Sequence, residues 1–210
     1  MAIKVGQSDK GQVQWNRHAP HKAMVRTNRM TSALEVSVSK GPDGKVYVAF
    51  KGTDGKRPGT CAADALGAFG VADSSFRMAR DLVKEMVAMH GADNVHVVGH
   101  SLGGTLAQFA GIKAGVPVTC FNSMGLPGHL CDKLIDLREL GSGQSKLKQA
   151  HVEHINSEGD ALSQKLQTRY LPFGLTQVGE RYKVEGASGH SINAKNGLLS
   201  ELNKLAPDQA

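Results

Sequence analysis

The chain has 210 residues, 40% of them hydrophobic, which is typical of one globular domain with a single core. No run of about eighteen apolar residues occurs, and the charged start of the chain (residues 1–10) is not followed by an apolar segment. The sequence therefore predicts neither a membrane-spanning helix nor a signal peptide. We expect synthesis in the cytoplasm, with any export using a route that needs no cleavable signal.

The formal net charge of +6 is concentrated at one end of the chain. Residues 1–60 contain 11 Lys and Arg against 4 Asp and Glu, whereas residues 61–210 contain 14 against 15. Such an excess could attract an anionic membrane surface, nucleic acid or an acidic protein, or it could be a solvated basic face. We expect contact with an anionic membrane surface through this N-terminal third, and no nucleic-acid ligand.

Three cysteines, Cys61, Cys120 and Cys131, are an odd number without paired or metal-binding spacing. They predict free, mostly buried thiols rather than a disulfide framework. The sequence also lacks the carboxylate-rich loop of an EF-hand. These patterns indicate no metal site.

Residues 1–33 form a basic segment to which the sequence assigns no structure. Beyond it, residues 34–39 alternate apolar and polar side chains, as a half-buried strand does, and four short apolar segments predict buried strands. Residues 73–90 repeat apolar side chains at helical spacing, with polar residues at the start and Gly91 after the end. The predicted buried strands are residues 45–51, 94–99, 117–122 and 151–156, and the predicted helices are residues 73–90, 101–115, 128–140 and 190–205.

This alternation of apolar strands and helices predicts a single α/β domain over residues 1–210. Its central sheet should be mainly parallel and covered by helices on both faces. In such sheets the reactive groups lie at the carboxyl ends of the strands. That rule limits which polar residues can meet at a site.

Residues 99–103 (GHSLG) follow the pattern G-x-S-x-G. Glycine and serine are common, but here the pattern directly follows a predicted strand and opens a predicted helix, which is the setting of the nucleophile elbow in α/β-hydrolases. Gly99 and Gly103 leave room for a strained turn. Ser101 is the predicted nucleophile, and the backbone N–H of Leu102 can face a developing oxyanion. The alternative is a glycine turn that binds phosphate, although neither common phosphate-loop spacing is present.

In this fold the base follows the serine and the acid along the chain. His151 and His154 lie three residues apart in a predicted strand and point to opposite faces, which argues against a shared site or a zinc pair. His190 lies in a glycine-flanked loop from which an imidazole can reach a strand end, so we predict His190 as the base. A structural histidine near a helix start is the alternative. The full set of candidates is His129, His151, His154 and His190.

Two carboxylates, Glu158 and Asp160, follow the predicted strand at 151–156 in a glycine-containing turn. We predict Asp160 as the acid that holds the tautomer of His190 and stabilises its imidazolium form. Glu158 is the second candidate. The alternative role of Asp160 is an ordinary helix cap for residues 161–166.

Five segments of the chain resemble class 3 lipases in order and spacing, across about residues 44–200. The segments are residues 46–54 (VYVAFKGTD), 99–104 (GHSLGG), 118–127 (VTCFNSMGLP), 155–160 (INSEGD) and His190 within GHSIN. The resemblance implies an α/β-hydrolase that cleaves carboxylic esters of acylglycerols or phospholipids without a cofactor. It also implies that Ser101, Asp160 and His190 form the catalytic triad.

The resemblance further assigns Thr53 to the oxyanion hole, alongside Leu102. The family has an Arg-Gly-Thr segment there, and in this chain Lys51 replaces the arginine. No tryptophan follows the Thr53 segment, which is a departure from the family. Residues 57–71, rich in glycine and alanine, occupy the position of a lid and imply a short or mobile one.

Phospholipid is the predicted substrate class, because a basic N-terminal third favours anionic lipid surfaces. A soluble esterase acting on small esters or thioesters is one alternative. A non-catalytic binding protein that keeps the fold is another. Some bacterial relatives in the resembled family are exported phospholipase effectors, and for such a protein we expect a neutralising partner that covers the mouth around Ser101.

Overall fold

The computed structural model describes residues 11–16, 19–27, 33–52, 73–128, 130, 151–165, 175–193 and 195–205. Eight strands within these ranges form one sheet, and two short strands form a second. In chain order the strands are β1 Gly11–Asn16, β2 Ala19–Thr27, β3 Ala33–Lys40, β4 Val46–Phe50, β5 Val95–His100, β6 Val118–Phe121, β7 Leu126–Pro127, β8 Val152–Ser157, β9 Leu175–Thr176 and β10 Glu180–Val184.

The large sheet has the strand order β1-β2-β3-β4-β5-β6-β8-β10. Strands β1 to β4 pair as antiparallel neighbours, whereas every pair from β4 to β10 is parallel. The parallel part contains the predicted apolar strands, and their carboxyl ends lie side by side. Strands β7 and β9 pair separately, as an antiparallel ladder.

Helices cover both faces of this sheet. The described helices are α1 Asp73–His90, α2 Leu102–Ala114, α3 Ala161–Lys165 and α4 Leu198–Leu205. Buried side chains of α1 and α2 pack in one cluster with Val48, Val97 and Val118 of the sheet. On the opposite face, Leu198 of α4 packs in another cluster with Phe121 and Ile155. None of the helices described is long and apolar enough to span a bilayer.

The predicted α/β-hydrolase class is therefore correct, with a parallel sheet core between helices. The predicted helix at residues 73–90 and the strand at 34–39 are present, and the other central elements agree to within a residue or so at each end. The predicted helix at 128–140 falls almost wholly outside the described residues. The predicted lid region at 57–71 also lies outside them.

The predicted helix at 190–205 is wrong over its first half. Residues 192–193 and 195–196 form turns, and α4 begins at Leu198. Gly189 has φ +75°, and the N–H of Ser188 donates to the carbonyl of Asn196 at 2.7 Å, which closes a loop instead of a helix. Residues 191–196 also lack apolar side chains at helical spacing, so nothing stabilises a helix there.

The segment 1–33, which the sequence left unassigned, contains β1 and β2. They form a hairpin whose second strand pairs with β3. The basic segment thus extends the sheet at its antiparallel end. Residues 11–16 (GQVQWN) do alternate in polarity, which is the signal that could have identified β1.

The turn between β5 and α2 brings three backbone segments into direct contact. A Cβ atom on Gly99 would lie 2.2 Å from the carbonyl oxygen of Gly103. A Cβ atom on Gly103 would lie 2.2 Å from the carbonyl oxygen of Phe50, at the end of β4. Both neighbours are backbone atoms that cannot rotate away. Glycine at these two positions is therefore what allows α2 to start directly against the ends of β4 and β5.

We expect Gly103→Ala to lower the free energy of unfolding by roughly 3 kcal/mol, at the upper end of what overpacking costs. Gly115→Ala is the matched control, because Gly115 has φ +70° but an added Cβ would meet nothing within 4 Å. Its expected cost is about 1 kcal/mol, from the left-handed backbone alone. Denaturant unfolding of both variants measures the two costs, and equal losses would contradict the packing explanation.

Candidate active site

Ser101 occupies the turn between β5 and α2 in a strained backbone conformation. Its φ is +58° and its ψ is −126°, values that residues with a side chain rarely adopt. The backbone N–H of Ser101 donates to the carbonyl of Phe121 on β6 at 3.1 Å, and the Ser101 carbonyl accepts the N–H of Gly104 at 3.0 Å in the first turn of α2. These bonds hold the serine at the carboxyl edge of the sheet.

The side chain of His190 contacts the serine from a loop 89 residues further along the chain. Its Nε2 lies 2.7 Å from Ser101 Oγ, and its Nδ1 lies 3.0 Å from Asp160 Oδ1. Because a carboxylate oxygen can only accept, Nδ1 carries the proton and Nε2 accepts the serine hydroxyl. The structure thus brings the three predicted residues into one hydrogen-bonded chain.

Asp160 is buried and has two roles at once. Its carboxylate accepts the backbone N–H groups of Leu162 at 3.2 Å and Ser163 at 3.0 Å, so it caps α3 as well as contacting His190. Burial raises the pKa of Asp160, but the hydrogen bonds from His190 and Ser163 outweigh burial, and the pKa lies below its usual value. The carboxylate therefore stays ionised beside the imidazole.

Other sequence candidates lie elsewhere. Glu158 is exposed and pairs with Lys183 at 3.0 Å, away from the imidazole of His190. His151 is exposed at the start of β8, whereas His154 is fully buried, so the two do point to different sides as predicted. His129 lies outside the described residues.

Leu102 is the first residue of α2, which places its backbone N–H at the positive end of the helix next to Ser101. Gly52, the last described residue after β4, packs against the same turn. A Cβ atom there would lie 2.7 Å from the carbonyl oxygen of His100 and 3.0 Å from Ser101 Cβ. Thr53 itself lies outside the described residues. The segment that leads to Thr53 thus runs directly past the serine.

A small apolar cluster flanks the hydrogen-bonded chain. Met124 and Leu175 are buried, and the partly exposed Leu102 and Leu162 pack against them. Leu102 follows the serine, and Leu162 is two residues after Asp160. This cluster gives the site an apolar wall next to its polar groups.

Two polar side chains that sequence reasoning did not single out also reach the site. His100 Nε2 lies 2.8 Å from the carbonyl oxygen of His190, and Asn122 Nδ2 lies 3.0 Å from the same oxygen. His100 precedes the serine, whereas the base of this fold follows it, so the order along the chain gives no signal for His100. Asn122 follows β6, so the rule that reactive groups lie at the carboxyl ends of strands could have identified it.

The described residues contain no group of three or more His, Cys, Asp and Glu side chains that could hold a metal ion. Cys120 is buried and unpaired, and burial raises the pKa of its thiol to about 12. Its thiol donates to the carbonyl of Gly104 at 3.3 Å. Cys61 and Cys131 lie outside the described part of the chain. The hydrogen bonds from Ser101 through His190 to Asp160 offer the chemistry of an activated serine hydroxyl.

A parallel sheet with a serine at a strained strand-to-helix turn, in contact with a histidine and a buried aspartate, is the arrangement of α/β-hydrolases. Residues 25–209, most of the chain, match the Tle-like phospholipase domain. The chain belongs to this phospholipase-like family.

Solved structures of fungal lipases are also similar to this chain. The Rhizomucor miehei lipase in complex with its propeptide is 14% identical with a TM-score of 0.49, and the match covers 79% of this chain and 57% of the lipase chain. A triacylglycerol lipase from Penicillium expansum is 14% identical with a TM-score of 0.48, covering 86% of this chain and 74% of that one. The chain thus spans little more than half the length of the Rhizomucor lipase. No curated protein matches the sequence.

His154, the buried histidine of β8, is expected to make the stability of the fold depend on pH. Its Nδ1 bonds with Ser123 Oγ at 2.9 Å and its Nε2 with the carbonyl of Val178 at 3.1 Å. A carbonyl only accepts, so Nε2 carries a proton and Nδ1 accepts from the serine. The pKa of His154 lies at about 4 instead of 6.5, mainly because burial lowers it; the Val178 carbonyl opposes this shift, and the charge of Arg181 adds to it.

Between pH 6.5 and about 4, the unfolded chain therefore binds a proton at His154 that the folded chain does not. The free energy of unfolding should fall by roughly 3 kcal/mol as the pH falls through this range. Denaturant unfolding at pH 7 and pH 4.5 should show this loss in the parent and a smaller one in His154→Gln, whose amide does not titrate. His151→Gln, at the exposed residue directly before β8, is the control and should lose as much stability as the parent. If His154→Gln lost as much stability as the parent between pH 7 and pH 4.5, the acid sensitivity would belong to other groups.

Proposed function

We propose that this chain hydrolyses the carboxylic esters of phospholipids through a Ser101 acyl-enzyme. The observation that carries the proposal is the continuous hydrogen-bonded chain from Ser101 Oγ through His190 to Asp160. Three side chains from distant parts of the sequence meet there with the geometry that activates a serine. Membership of the phospholipase-like family supports the same activity.

In the proposed reaction, His190 Nε2 takes the proton of the Ser101 hydroxyl as Oγ attacks the ester carbonyl. The imidazolium then returns this proton to the departing alcohol, and the acyl group remains on the serine. A water molecule, deprotonated by His190, releases the acid and restores the hydroxyl. Asp160 keeps the Nδ1 proton in place and stabilises the imidazolium, without itself taking a proton.

We assign the oxyanion hole to the backbone N–H groups of Leu102 and Thr53. The Leu102 assignment is supported by its place at the start of α2, next to the serine. The Thr53 assignment is supported by the packing of Gly52 against the serine turn. Leu102 directly precedes Gly103, and Thr53 directly follows Gly52. Both glycines make close backbone contacts at the serine turn, so the same packing would hold the two donors and the nucleophile.

Two features support a lipid as the substrate. The apolar wall of Met124, Leu175, Leu102 and Leu162 gives an acyl chain a surface beside the serine. The excess of Lys and Arg in the first 60 residues would attract the anionic headgroups of a phospholipid surface. We include contact with an anionic membrane in the proposal on this basis.

We also propose that the protein is an exported effector, which its match to the Tle-like phospholipase domain supports. A protein inhibitor of such an effector would have to exclude lipid from the mouth around Ser101. Substitutions on the surface beside that mouth would test this contact. A variant that escapes inhibition but keeps its basal turnover would identify the residues that the inhibitor contacts.

Hydrolysis of a phospholipid panel tests the activity directly. Phosphatidylglycerol, phosphatidylethanolamine and phosphatidylcholine vesicles, triacylglycerol emulsions and short-chain esters separate the lipid classes. We expect the parent to turn over phospholipid and Ser101→Ala to lose at least about 10⁴-fold in kcat. Ser39→Ala, at an exposed serine of β3, is the control and should keep the parental rate.

Two results would contradict the proposal. A preference for short soluble esters would make the chain a small-ester hydrolase. Near-zero rates in both the parent and Ser101→Ala, with circular dichroism showing both folded, would favour a non-catalytic binding protein.

The two neighbouring carboxylates allow a matched test of the acid. Asp160→Asn should lower kcat by about 10⁴-fold, because the amide no longer holds the required tautomer of His190. Glu158→Gln should stay within about threefold of the parent, because Glu158 is exposed and bonds with Lys183. Steady-state kinetics on the preferred ester measure both. Equal losses in the two variants, or normal turnover in Asp160→Asn, would reject the assignment.

A further inference from the structure

His190 lies in a loop that is neither helix nor strand. Gly189 before it has φ +75°, and residues 192–193 and 195–196 after it form turns. The N–H of Gly159 donates to the carbonyl of Ala187 at 3.2 Å, which fastens the loop three residues before the imidazole. An imidazole on such a loop needs a further anchor if its Nε2 is to stay within bonding distance of the serine.

That anchor is the backbone carbonyl of His190 itself, which receives two side-chain donors. His100 Nε2 donates to it at 2.8 Å and Asn122 Nδ2 donates to it at 3.0 Å. A carbonyl oxygen has two lone pairs, so the two donors can satisfy it completely. They come from the ends of two adjacent strands, β5 and β6, and so fix the carbonyl from two directions.

His100 is well placed for this role because it directly precedes Ser101. Its ring lies 4.9 Å from the ring of His190, with 38° between the planes. Burial lowers the pKa of His100, so at neutral pH it is an uncharged imidazole whose Nε2 carries the proton. One peptide unit thus links the nucleophile to a side chain that holds its base.

Asn122 connects the same carbonyl to the strand that carries the acid. The side chain is fully buried, and its backbone is in the left-handed region with φ +45°. Its Oδ1 accepts the backbone N–H of Ser157 at 2.7 Å, and its Nδ2 also donates to Ser157 Oγ at 3.1 Å. Ser157 ends β8, three residues before Asp160. The amide therefore fixes the loop of the base against the strand of the acid.

We propose that His100 and Asn122 are positioning residues that hold the His190 carbonyl and thereby keep its imidazole between Ser101 and Asp160. The inference rests on the proposed function of these three residues. Both positioning side chains act through His190. Their loss should lower kcat and leave KM nearly unchanged, because substrate binding does not use them. A displacement of about 1 Å at a reacting group can cost about 10²-fold in rate.

The test uses three variants of strand β5. His100→Leu removes the donor, whereas His100→Gln keeps an amide N–H at a similar distance from the backbone. His96→Leu is the matched control: His96 also lies on β5, is half-buried and makes one side-chain bond, to Thr119 Oγ1 at 2.9 Å. Thermal unfolding of each variant shows whether the fold is kept.

We expect kcat to fall between roughly tenfold and a hundredfold in His100→Leu, with KM within about twofold of the parent. His100→Gln should recover to within about threefold, and His96→Leu should match the parent. The ¹H NMR resonance of the His190 Nδ1 proton, shifted downfield by its bond to Asp160, should broaden or disappear in His100→Leu and persist in His100→Gln. A protein with a purely structural His100 would not show this rescue.

Asn122→Asp tests the second donor, because it keeps Oδ1 for Ser157 and removes Nδ2. It should also lower kcat at constant KM and weaken the Nδ1 resonance. If this buried variant does not fold, the His100 series decides.

Two outcomes separate failure of this inference from failure of the proposed function. Turnover and an Nδ1 resonance that match the parent in His100→Leu would overturn the positioning role while leaving the hydrolase intact. A folded parent that hydrolyses no ester would reject the proposed function. In that case the Nδ1 resonance alone decides the inference. Loss of the resonance in His100→Leu and its return in His100→Gln would support the positioning of His190 by His100. Persistence of the resonance in His100→Leu would refute that role.

Discussion

The contact between backbones at the turn from β5 to α2 is the constraint on which the site depends. Ser101 can project from the sheet edge only because its neighbours two residues away carry no side chains, and the carbonyl of Phe50 occupies the space a Cβ of Gly103 would fill. This packing fixes the serine relative to β4 and β5 at the cost of a backbone conformation with φ +58°. The strain is held by the buried apolar side chains of α2 and the sheet beneath it.

Buried polar groups at the carboxyl ends of β6 and β8 extend this fixed region. Ser123 bonds with the neutral ring of His154, and its carbonyl accepts the amide of Gln177 at 2.7 Å. Gln177 also accepts the amide of Asn156 at 3.2 Å. Such a network favours one arrangement of strands, because breaking any of its bonds leaves a buried polar group with neither a protein partner nor water to bond with. The same burial keeps His154 uncharged, so the rigidity next to the site is linked to sensitivity to acid.

The sequence could predict what is encoded locally. The apolar runs of β4 and β5, the helical spacing of α1 and the glycines around Ser101 each carry their signal within a few residues. The meeting of His190 with Ser101 spans 89 residues and could be proposed only from the order along the chain and from family resemblance. The start of α4 differs from the prediction because a backbone bond between Ser188 and Asn196 closes a loop there, and the lack of apolar side chains at helical spacing in residues 191–196 is the only sequence signal of it. The contacts of His100 and Asn122 are harder to predict, because their shared partner is a backbone carbonyl, although the position of Asn122 after β6 marks it as a site candidate.

We assign the acid to Asp160 instead of Glu158 because the Asp160 carboxylate is buried and still receives hydrogen bonds. Asp160 is buried, yet its oxygens receive two backbone N–H groups of α3 in addition to the imidazole. Those donors keep it ionised despite burial, and an ionised, fixed acceptor is what orients an imidazole for proton transfer. Glu158 is exposed and bonds with Lys183 at 3.0 Å, so its charge is screened by water and by that partner. The helix cap is therefore compatible with the orienting role that we propose for Asp160, because the capping bonds help to keep the carboxylate ionised.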